Sequence, residues 1–403
     1  MTGPGRRGSP RPRTRLRFDY FFETVDQSVT PEHPAWKRPL PLSRVSLSGS
    51  PPPAPETSLS VGDYFEAIRS FLVGVGWDAI VRTLAGWGAD ASCVETFQVF
   101  LVKHGEYYHP ARVETQIKGR PFNWVVNVAV SAAGRSLLSK EHAILERLSR
   151  EFRVSYLPEV YGTGEVDAGL GQSVALFLGQ WFWGFHEFHL TRNAPDAQPA
   201  LVLWDAEDGH RLLTLGQART VYHEVARILT HYFSLITLEG IGAWHHAAGD
   251  FVIRLKGAHP EVRLITVREY RPLFRFHQGS GDPGHGLKTL LETLLIFLLN
   301  LSIRTRLDRL DGTGDMAWSD VLAVEATVAG MLAGLAEKPP PIELPLPFNQ
   351  LFQQYLAACS ADDLLDLCNG IANTYPPGAP ETPVVKARLN EHAAALCDAL
   401  NQL

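Results

Sequence analysis

Hydrophobic and polar residues repeat along the chain with two different periods, and each change of period marks a change of element. Residues 60–87 place apolar positions at helical spacing, with Ser60 as the expected N-cap. Strands are predicted at 97–105, 112–117 and 124–131, the third being rich in β-branched residues. An amphipathic helix is predicted over 140–152, followed by strands at 157–166 and 174–182. The expected order of this stretch is β-β-β-α-β-β.

Helical patterns dominate the rest of the chain. Residues 215–236 predict a long helix, and two short strands are expected at 251–255 and 262–267. A helix is predicted over 287–307, and its part around 290–301, which is apolar nearly all round, is expected to lie in the core. Further helices are predicted at the following ranges, the last two after a proline-rich spacer: 319–337, 348–358 and 384–403.

Composition and charge narrow the class of protein. The chain has 403 residues, 45% of them hydrophobic, which is enough for two or three folding units with a sizeable core. Its net charge of −6 provides no global basic field of the kind that marks a nucleic-acid-binding protein.

The apolar run at 294–299 is far shorter than the roughly 20 residues that span a bilayer. The four cysteines form no CxxC pair, and no apolar leader begins the chain. We therefore expect a cytoplasmic protein with reduced thiols and no membrane partner.

The first 59 residues are rich in proline, serine and arginine. Such a segment buries too little apolar surface to offset its ordering entropy, so a mostly disordered arm is predicted. Within it, residues 18–25 are apolar enough to dock on the body. Six arginines between residues 6 and 17 have no acidic residue among them. A solvated tail is favoured over an arm that contacts nucleic acid, and no other segment suggests a nucleic-acid partner.

The five strands with one helix after the third are followed by a long helix, a histidine and Gly-Asp loop, and a β-hairpin. Over roughly 97–274 this order resembles the protein-kinase-like fold, and within it the aminoglycoside and choline phosphotransferases. The resemblance implies an α+β, two-lobed protein with an antiparallel five-strand N-lobe and a mainly helical C-lobe. The expected domains are an arm, leading helices, an N-lobe, a C-lobe and a helical extension, at 1–59, 60–96, 97–183, 184–338 and 339–403.

Gly249-Asp250 looks like the Gly-Asp of the phosphotransferase HGD motif. The resemblance implies that Asp250 is the base accepting the substrate hydroxyl proton, with His246 as a second catalytic residue. The family places its histidine two residues before the aspartate, where this chain has Ala248.

Three further family positions are replaced. Leu255 stands where the catalytic loop has asparagine, Thr266 where a metal-binding aspartate is expected, and Ser131 where strand three carries lysine. Loss of all three removes most phosphate and Mg²⁺ contacts of the family site.

Other residues are candidates to supply these contacts in a cleft between the lobes. Lys103, Gly105 at the place of the glycine-rich turn, and Glu141 on the helix are candidates for nucleotide binding. Gln180 at the end of the fifth strand is a fourth candidate, and Glu269 is the nearest carboxylate for a metal ion. ATP and Mg²⁺ are the cofactors that the resemblance implies.

The sequence favours a degenerate kinase-like protein, a pseudokinase that binds a nucleotide or a protein partner. An active ATP-dependent phosphotransferase with Asp250 as base is the alternative, so whether the chain is an enzyme stays open. A second alternative is a metal-dependent hydrolase that uses the histidine pairs at 104/109, 186/189 and 245/246. On a strand, positions 186 and 189 point to opposite sides, which favours packing over zinc binding there.

Overall fold

The computed structural model describes part of the chain: residues 16–22, 25–41, 59–105, 107–169, 171–192, 194, 197–205, 209–242, 244–245, 249–257, 259–273, 286–312, 314–340 and 346–403. The chain divides into two compact units. The first unit comprises Met1–Glu151 and Pro158–Trp183, and the second comprises Phe152–Leu157 and Gly184–Leu403. Both helices and sheets are present, so the expected α+β class is confirmed.

A sheet of seven described strands forms the centre of the first unit. Its strands are β1 (Arg17–Phe22), β2 (Val25–Ser28), β3 (Thr96–Leu101), β4 (His109–Ile117), β5 (Arg120–Ala129), β6 (Val160–Asp167) and β7 (Ser173–Gln180). The spatial order is β2-β1-β3-β4-β5-β7-β6. The β1–β3 pair is parallel and every other neighbouring pair is antiparallel.

Three helices belong to the first unit: α1 (Val61–Val73), α2 (Trp77–Gly86) and α3 (Ala132–Glu151). Ser60 caps α1 as predicted, and its side chain and that of Asp63 form a reciprocal capping box. Helix α3 starts earlier than the predicted residue 140, because the Ser131 hydroxyl accepts the Gly134 N–H and stabilises a first turn at Ala132. It lies between β5 and β6 along the chain.

Part of the N-terminal segment is ordered, which corrects the expectation of a disordered arm for residues 16–22 and 25–41. Strand β1 adds to the edge of the sheet beside β3, with Phe18 opposite Phe97. Tyr20 is buried with its ring 4.8 Å from that of Phe65, and Leu40 is buried in the same core. Aromatic burial therefore supplies the stabilisation that the proline-rich composition concealed. Residues 1–15 and 42–58 lie outside the described residues.

The second unit contains six described helices: α4 (Leu215–His231), α5 (Leu287–Thr305), α6 (Leu322–Ala336), α7 (Phe348–Leu356), α8 (Ala361–Ala372) and α9 (Glu381–Asn401). Most of α5 is buried, as its apolar pattern predicts. Helix α6 packs on α4, and Gly330 lies so close to the His223 carbonyl that any Cβ at 330 would clash with it. The absence of a side chain at Gly330 thus permits the close helix contact. Helix α8 was not predicted.

Short strands complete the second unit: β8 (Glu187–Thr191), β9 (Ala200–Trp204), β10 (Arg211–Leu212), β11 (Glu239–Gly242), β12 (Phe251–Lys256), β13 (His259–Leu264), β14 (Glu269–Pro272), β15 (Leu307–Arg309) and β16 (Met316–Trp318). The hairpin β12–β13 agrees with the sequence pattern. The three-stranded sheet β10-β9-β8 and the pairs β11–β14 and β15–β16 were not predicted. Strands this short carry too few alternations to be distinguished from loops.

Within the described residues, no helix is both long and apolar enough to cross a bilayer.

Candidate functional site

The loop that carries Asp250 lies between β11 and β12. Gly249 has φ 78°, a left-handed conformation that favours glycine, and it places Asp250 immediately before β12. The backbone carbonyl of Asp250 accepts the Ile265 N–H at 2.7 Å, so the loop is joined to the end of β13. His246 lies outside the described residues.

The Asp250 carboxylate is buried and forms a two-pronged ion pair with Arg268. Arg268 donates from Nη1 to Oδ2 at 2.7 Å and from Nη2 to Oδ1 at 2.6 Å. The His245 backbone N–H donates a third hydrogen bond to Oδ2 at 2.8 Å. The Asp250 side chain is only 1% exposed, while that of Arg268 is 25% exposed. The geometry is that of a strong guanidinium–carboxylate fork, and it holds both oxygen atoms.

Arg268 was not identified from the sequence. It lies two residues after Thr266, the position at which the family resemblance expects an acidic metal ligand. Single basic residues near a strand end are common on protein surfaces, so no sequence pattern singled this one out.

More ionisable groups lie around the same loop. Arg304, near the end of α5, donates to the Trp244 carbonyl, and its guanidinium carbon lies 5.2 Å from the centre of the Trp244 ring. Burial lowers the pKa of Arg304, while the nearby Tyr375, Asp250 and Glu381 oppose that shift. The negative charges of Asp250 and Glu381 in this cluster are therefore accompanied by the positive charges of Arg268 and Arg304.

His245 belongs to this cluster as well. Burial lowers the pKa of its imidazole, Arg304 lowers it further, and Asp250 acts in the opposite direction. The ring is therefore neutral near neutral pH, and the residue contributes to Asp250 through its backbone N–H rather than through a charged side chain.

Glu269 is the first residue of β14 and is paired with Arg271 at 3.0 Å. Its side chain is 43% exposed, in contrast to that of Asp250. Across the residues that the structure describes, no group of three or more His, Cys, Asp or Glu side chains is arranged to hold a metal ion.

The four residues expected to bind a nucleotide all belong to the first unit. Lys103 and Gly105 follow β3, and the Gly105 N–H donates to the Tyr108 carbonyl at 2.9 Å. Glu141 lies on the buried face of α3, with 1% of its surface exposed. Gln180 ends β7, and its side-chain oxygen accepts the Glu159 N–H at 3.3 Å.

The histidine pairs fall in different environments. The Nδ1 atoms of His104 and His109 lie 3.1 Å apart. Burial lowers the pKa of His104, while burial and then the charge of His104 lower that of His109 to about 3. Both rings are neutral near neutral pH, and a single N–H···N hydrogen bond braces the chain between β3 and β4.

His186 and His189 flank Glu187 at the start of β8. His189 is 1% exposed, with its ring nitrogens 3.5 Å from Glu187 and 3.7 Å from Asp308. Burial lowers the pKa of His189, but the two carboxylates outweigh it and raise the pKa above its ordinary value. His186 lies 3.6 Å from Asp205 instead, so the two histidines do not share a site.

No family model matches this chain, and no curated protein is significantly similar to it in sequence. Among solved structures, it is similar to WaaP in complex with acyl carrier protein, with 10% identity over 66% of this chain and 84% of that chain and a TM-score of 0.30. It is also similar to the PAN3 pseudokinase of Drosophila melanogaster, with 9% identity over 73% of this chain and 64% of that chain and a TM-score of 0.26.

Proposed function

We propose that this chain is a kinase-like protein with a degenerate site, a pseudokinase that binds a nucleotide or a protein partner instead of transferring phosphate. The observation that carries the proposal is the ion pair between Asp250 and Arg268. The carboxylate of Asp250, at the position of a catalytic base, is ion-paired with the guanidinium group of Arg268 from the same chain.

The order of the elements supports the kinase-like part of the proposal. In the first unit, five antiparallel strands from β3 to β7 carry one helix, α3, between the third and the fourth. In the second unit, the long helix α4 is followed by the Asp250 loop and the hairpin β12–β13. This succession is the one that the family resemblance implies.

The part of the proposal that excludes phosphate transfer rests on what a catalytic base requires. A general base needs an oxygen atom within hydrogen-bond reach of the substrate proton. In Asp250 both oxygens accept hydrogen bonds from Arg268, and one accepts a further bond from His245. Breaking a buried ion pair by withdrawing one partner costs about 3–5 kcal/mol. Release of Asp250 for each turnover would add a cost of this order to the barrier.

The residues of the loop do not fit Mg²⁺. Magnesium requires oxygen ligands that are open to it in an octahedral arrangement. The oxygens of Asp250 face Arg268, Leu255 offers no ligand atom on its side chain, and Glu269 is paired with Arg271. We therefore expect any nucleotide to bind without a metal ion, and no catalytic step is assigned to Mg²⁺.

The proposal can be tested with the full chain, ATP, and either Mg²⁺ or a chelator. We expect ATP to raise the melting temperature equally in both conditions and to yield no ADP. A ligand at 100 times its Kd adds about 2.7 kcal/mol to the stability of the native state. Asp250→Asn should leave this ATP-dependent increase unchanged.

Formation of ADP by the wild-type chain, together with its loss in Asp250→Asn, would establish the active phosphotransferase instead. Glu325→Gln is the matched control, because it neutralises a carboxylate that is also paired with an arginine, Arg219, at a more exposed position. If neither ATP nor GTP shifts the melting temperature, nucleotide binding is contradicted and only the protein-partner form of the proposal remains.

A further inference from the structure

The hairpin β12–β13 of the second unit has one buried face and one charged face. Buried apolar side chains alternate along the first face: Phe251, Ile253, Val262 and Leu264. The residues between them share the second face: Val252, Arg254, Lys256, His259, Glu261 and Arg263. All of these except Val252 are at least partly exposed. We call this second face the basic hairpin face.

Three positive charges form a line across the basic hairpin face. Arg254 and Lys256 lie two residues apart on β12. Arg263 on β13 is opposite Val252, which precedes Arg254 by two residues. One cation therefore stands at each of three successive positions of the face, about 7 Å apart along the strand direction.

A single carboxylate is shared by all three cations. Glu261 accepts a hydrogen bond from Arg254 at 2.7 Å and another from Arg263 at 2.6 Å. The Lys256 amine lies 2.9 Å from the same carboxylate. Partial burial raises the pKa of Glu261, but its cationic partners outweigh that effect and lower the pKa to about 2. The face therefore carries two more positive than negative charges, although the net charge of the chain is −6.

The three cationic side chains are accessible to solvent, with exposed fractions from 25% to 63%. Two of them are also held in place by aromatic rings. The guanidinium carbons of Arg254 and Arg263 lie 4.5 Å and 5.6 Å from the centre of the Phe185 ring. Because the ring and Glu261 already restrict both guanidinium groups, binding an anion costs little further side-chain entropy.

The charges next to the hairpin do not cancel this excess. Arg263 also lies 5.9 Å from the centre of the Tyr156 ring, where a second group of charges begins. In that group Arg227 is paired with Glu224 and Glu337. The charge of Glu337 also acts on Lys338. Two cations and two carboxylates balance each other there, so the excess of positive charge belongs to the basic hairpin face.

An extended acidic peptide fits this face better than a nucleic-acid strand does. Side chains on one side of an extended peptide repeat every two residues, about 7 Å apart, which is the spacing of the cations. Single-stranded nucleic acids gain much of their affinity from bases that stack on aromatic rings. The rings of Phe185 and Tyr156 each already lie against two guanidinium groups of the chain. Arginine and aromatic side chains together are typical of protein interfaces.

We propose that the basic hairpin face docks an acidic segment of a protein partner, bound in an extended conformation with carboxylates on alternate residues. Three such carboxylates pair with Arg263, Arg254 and Lys256 in turn. This inference rests on the protein-partner form of the function proposed above and names the chemistry of that partner. It uses no residue of the Asp250 loop.

The test uses the full chain and three fluorescein-labelled peptides of nine residues. The first has three glutamates at alternate positions among threonines, the second has three glutamates at every third position, and the third has glutamines in place of the glutamates of the first. Fluorescence anisotropy at about 50 mM NaCl should show saturable binding of the first peptide that weakens at about 300 mM, because salt screens exposed charges. The glutamine peptide should not bind.

The second peptide tests the spacing. Its successive glutamates point to opposite sides of an extended chain, so fewer of them reach the line of cations. Its binding should be weaker by about fivefold or more, the effect of losing at least one exposed ion pair at the strong end of the usual range.

Two variants locate the site. Lys256→Gln removes one cation of the line at an exposed position and should weaken binding of the first peptide about fivefold. Adding Arg263→Gln should weaken it by a further factor of similar size. Lys288→Gln is the matched control, because Lys288 is also an exposed lysine of the second unit next to a glutamate, Glu292. It should leave the affinity unchanged.

Absence of saturable binding of the first peptide to the wild-type chain would overturn the proposal. Equal affinity for the two glutamate peptides, or an equal loss in Lys256→Gln and Lys288→Gln, would also overturn it, because the attraction would then be general. Tighter binding of a ten-residue oligouridylate than of the first peptide would assign the face to nucleic acid instead. A rise in melting temperature with ATP but no peptide binding would contradict this inference alone, whereas peptide binding without an effect of ATP or GTP would contradict only the nucleotide form of the proposed function.

Discussion

The Asp250 loop and the Trp318 wall, which consists of the Trp318 ring and the Arg306 guanidinium packed over it, both contain buried polar groups, but they differ in how those groups are satisfied. At Asp250 the carboxylate oxygens accept three hydrogen bonds from the chain itself. At the Trp318 wall, two buried donors, on Trp318 and Arg306, have no acceptor among the described residues. A satisfied buried group stabilises its own loop, whereas an unsatisfied buried donor costs free energy in the folded state. The loop that resembles a catalytic site is therefore stabilised by its own ion pair, whereas the Trp318 wall carries the cost of its unsatisfied donors.

The largest effect on stability is expected from Arg268→Ala. It would leave the Asp250 carboxylate buried with one backbone donor, and it should lower the free energy of unfolding by about 3 kcal/mol. Urea unfolding of the variant measures this loss. Asp250→Ala in the same background should restore part of the stability, because the unpaired charge is then absent. Independent, additive losses for the two substitutions would contradict the ion pair as the stabilising contact.

A smaller loss is expected from Arg306→Met, although Arg306 is the more deeply buried arginine. Its carboxylate partner, Glu391, is 44% exposed and remains solvated when the arginine is removed. The methionine side chain also carries no donor that needs an acceptor. We expect a loss of about 1 kcal/mol by urea unfolding. A loss of stability as large as that of Arg268→Ala would show that the buried polar groups of the two regions are equally well paired.

The pH dependence of stability gives a third test, at His392 beside the Trp318 wall. Burial, and then the charge of Arg306, lower the pKa of His392 to about 3. Because the folded pKa lies below the unfolded value of about 6.5, protons bind the unfolded chain more strongly. Stability should therefore fall as the pH drops below about 6.5, by about 2 kcal/mol at pH 5 from this residue. His392→Gln should reduce that slope, and urea unfolding at pH 7.5 and pH 5 measures the difference. An unchanged slope would assign the dependence to other histidines, such as His109.

The smallest effect is expected from Glu269→Gln. Glu269 and Arg271 are 43% and 59% exposed, and exposed pairs contribute about 0.5 kcal/mol or less. Urea unfolding should therefore hardly distinguish the variant from the wild type. A Mg²⁺-dependent rise in melting temperature that is present in the wild type and absent in Glu269→Gln would instead support the metal-binding role expected from the sequence.

Most of the long elements could be predicted from the sequence, because local periodicity determines them. The strand at Trp124 and Val126 and the capped helix starting after Ser60 agree with their patterns. Residues 18–25 were expected to be apolar enough to dock, and β1 lies largely within them, but the ordered residues that follow it were not predicted because they are rich in proline. The partners of Tyr20 lie far away in sequence, and only the folded chain brings Phe65 to it.

The candidate site was likewise predicted only in part from the sequence. The Gly-Asp pair at Asp250, the loop around it and the hairpin that follows were recognisable from residue order alone. The occupation of Asp250 by Arg268 was not, because it depends on an 18-residue separation closed by the hairpin β12–β13. The Trp318 wall was not recognisable either, since the chain brings His392 to Trp318 from 74 residues away in sequence.

By itself, then, the sequence determined most of the long helices and strands, since their periodicity follows from neighbours a few positions away, and it determined which residues carry charge. Only the tertiary structure decided which of those charges are satisfied. Whether a buried donor or acceptor has a partner depends on contacts between distant segments, and the cost of leaving it without one exists only after folding has removed the water.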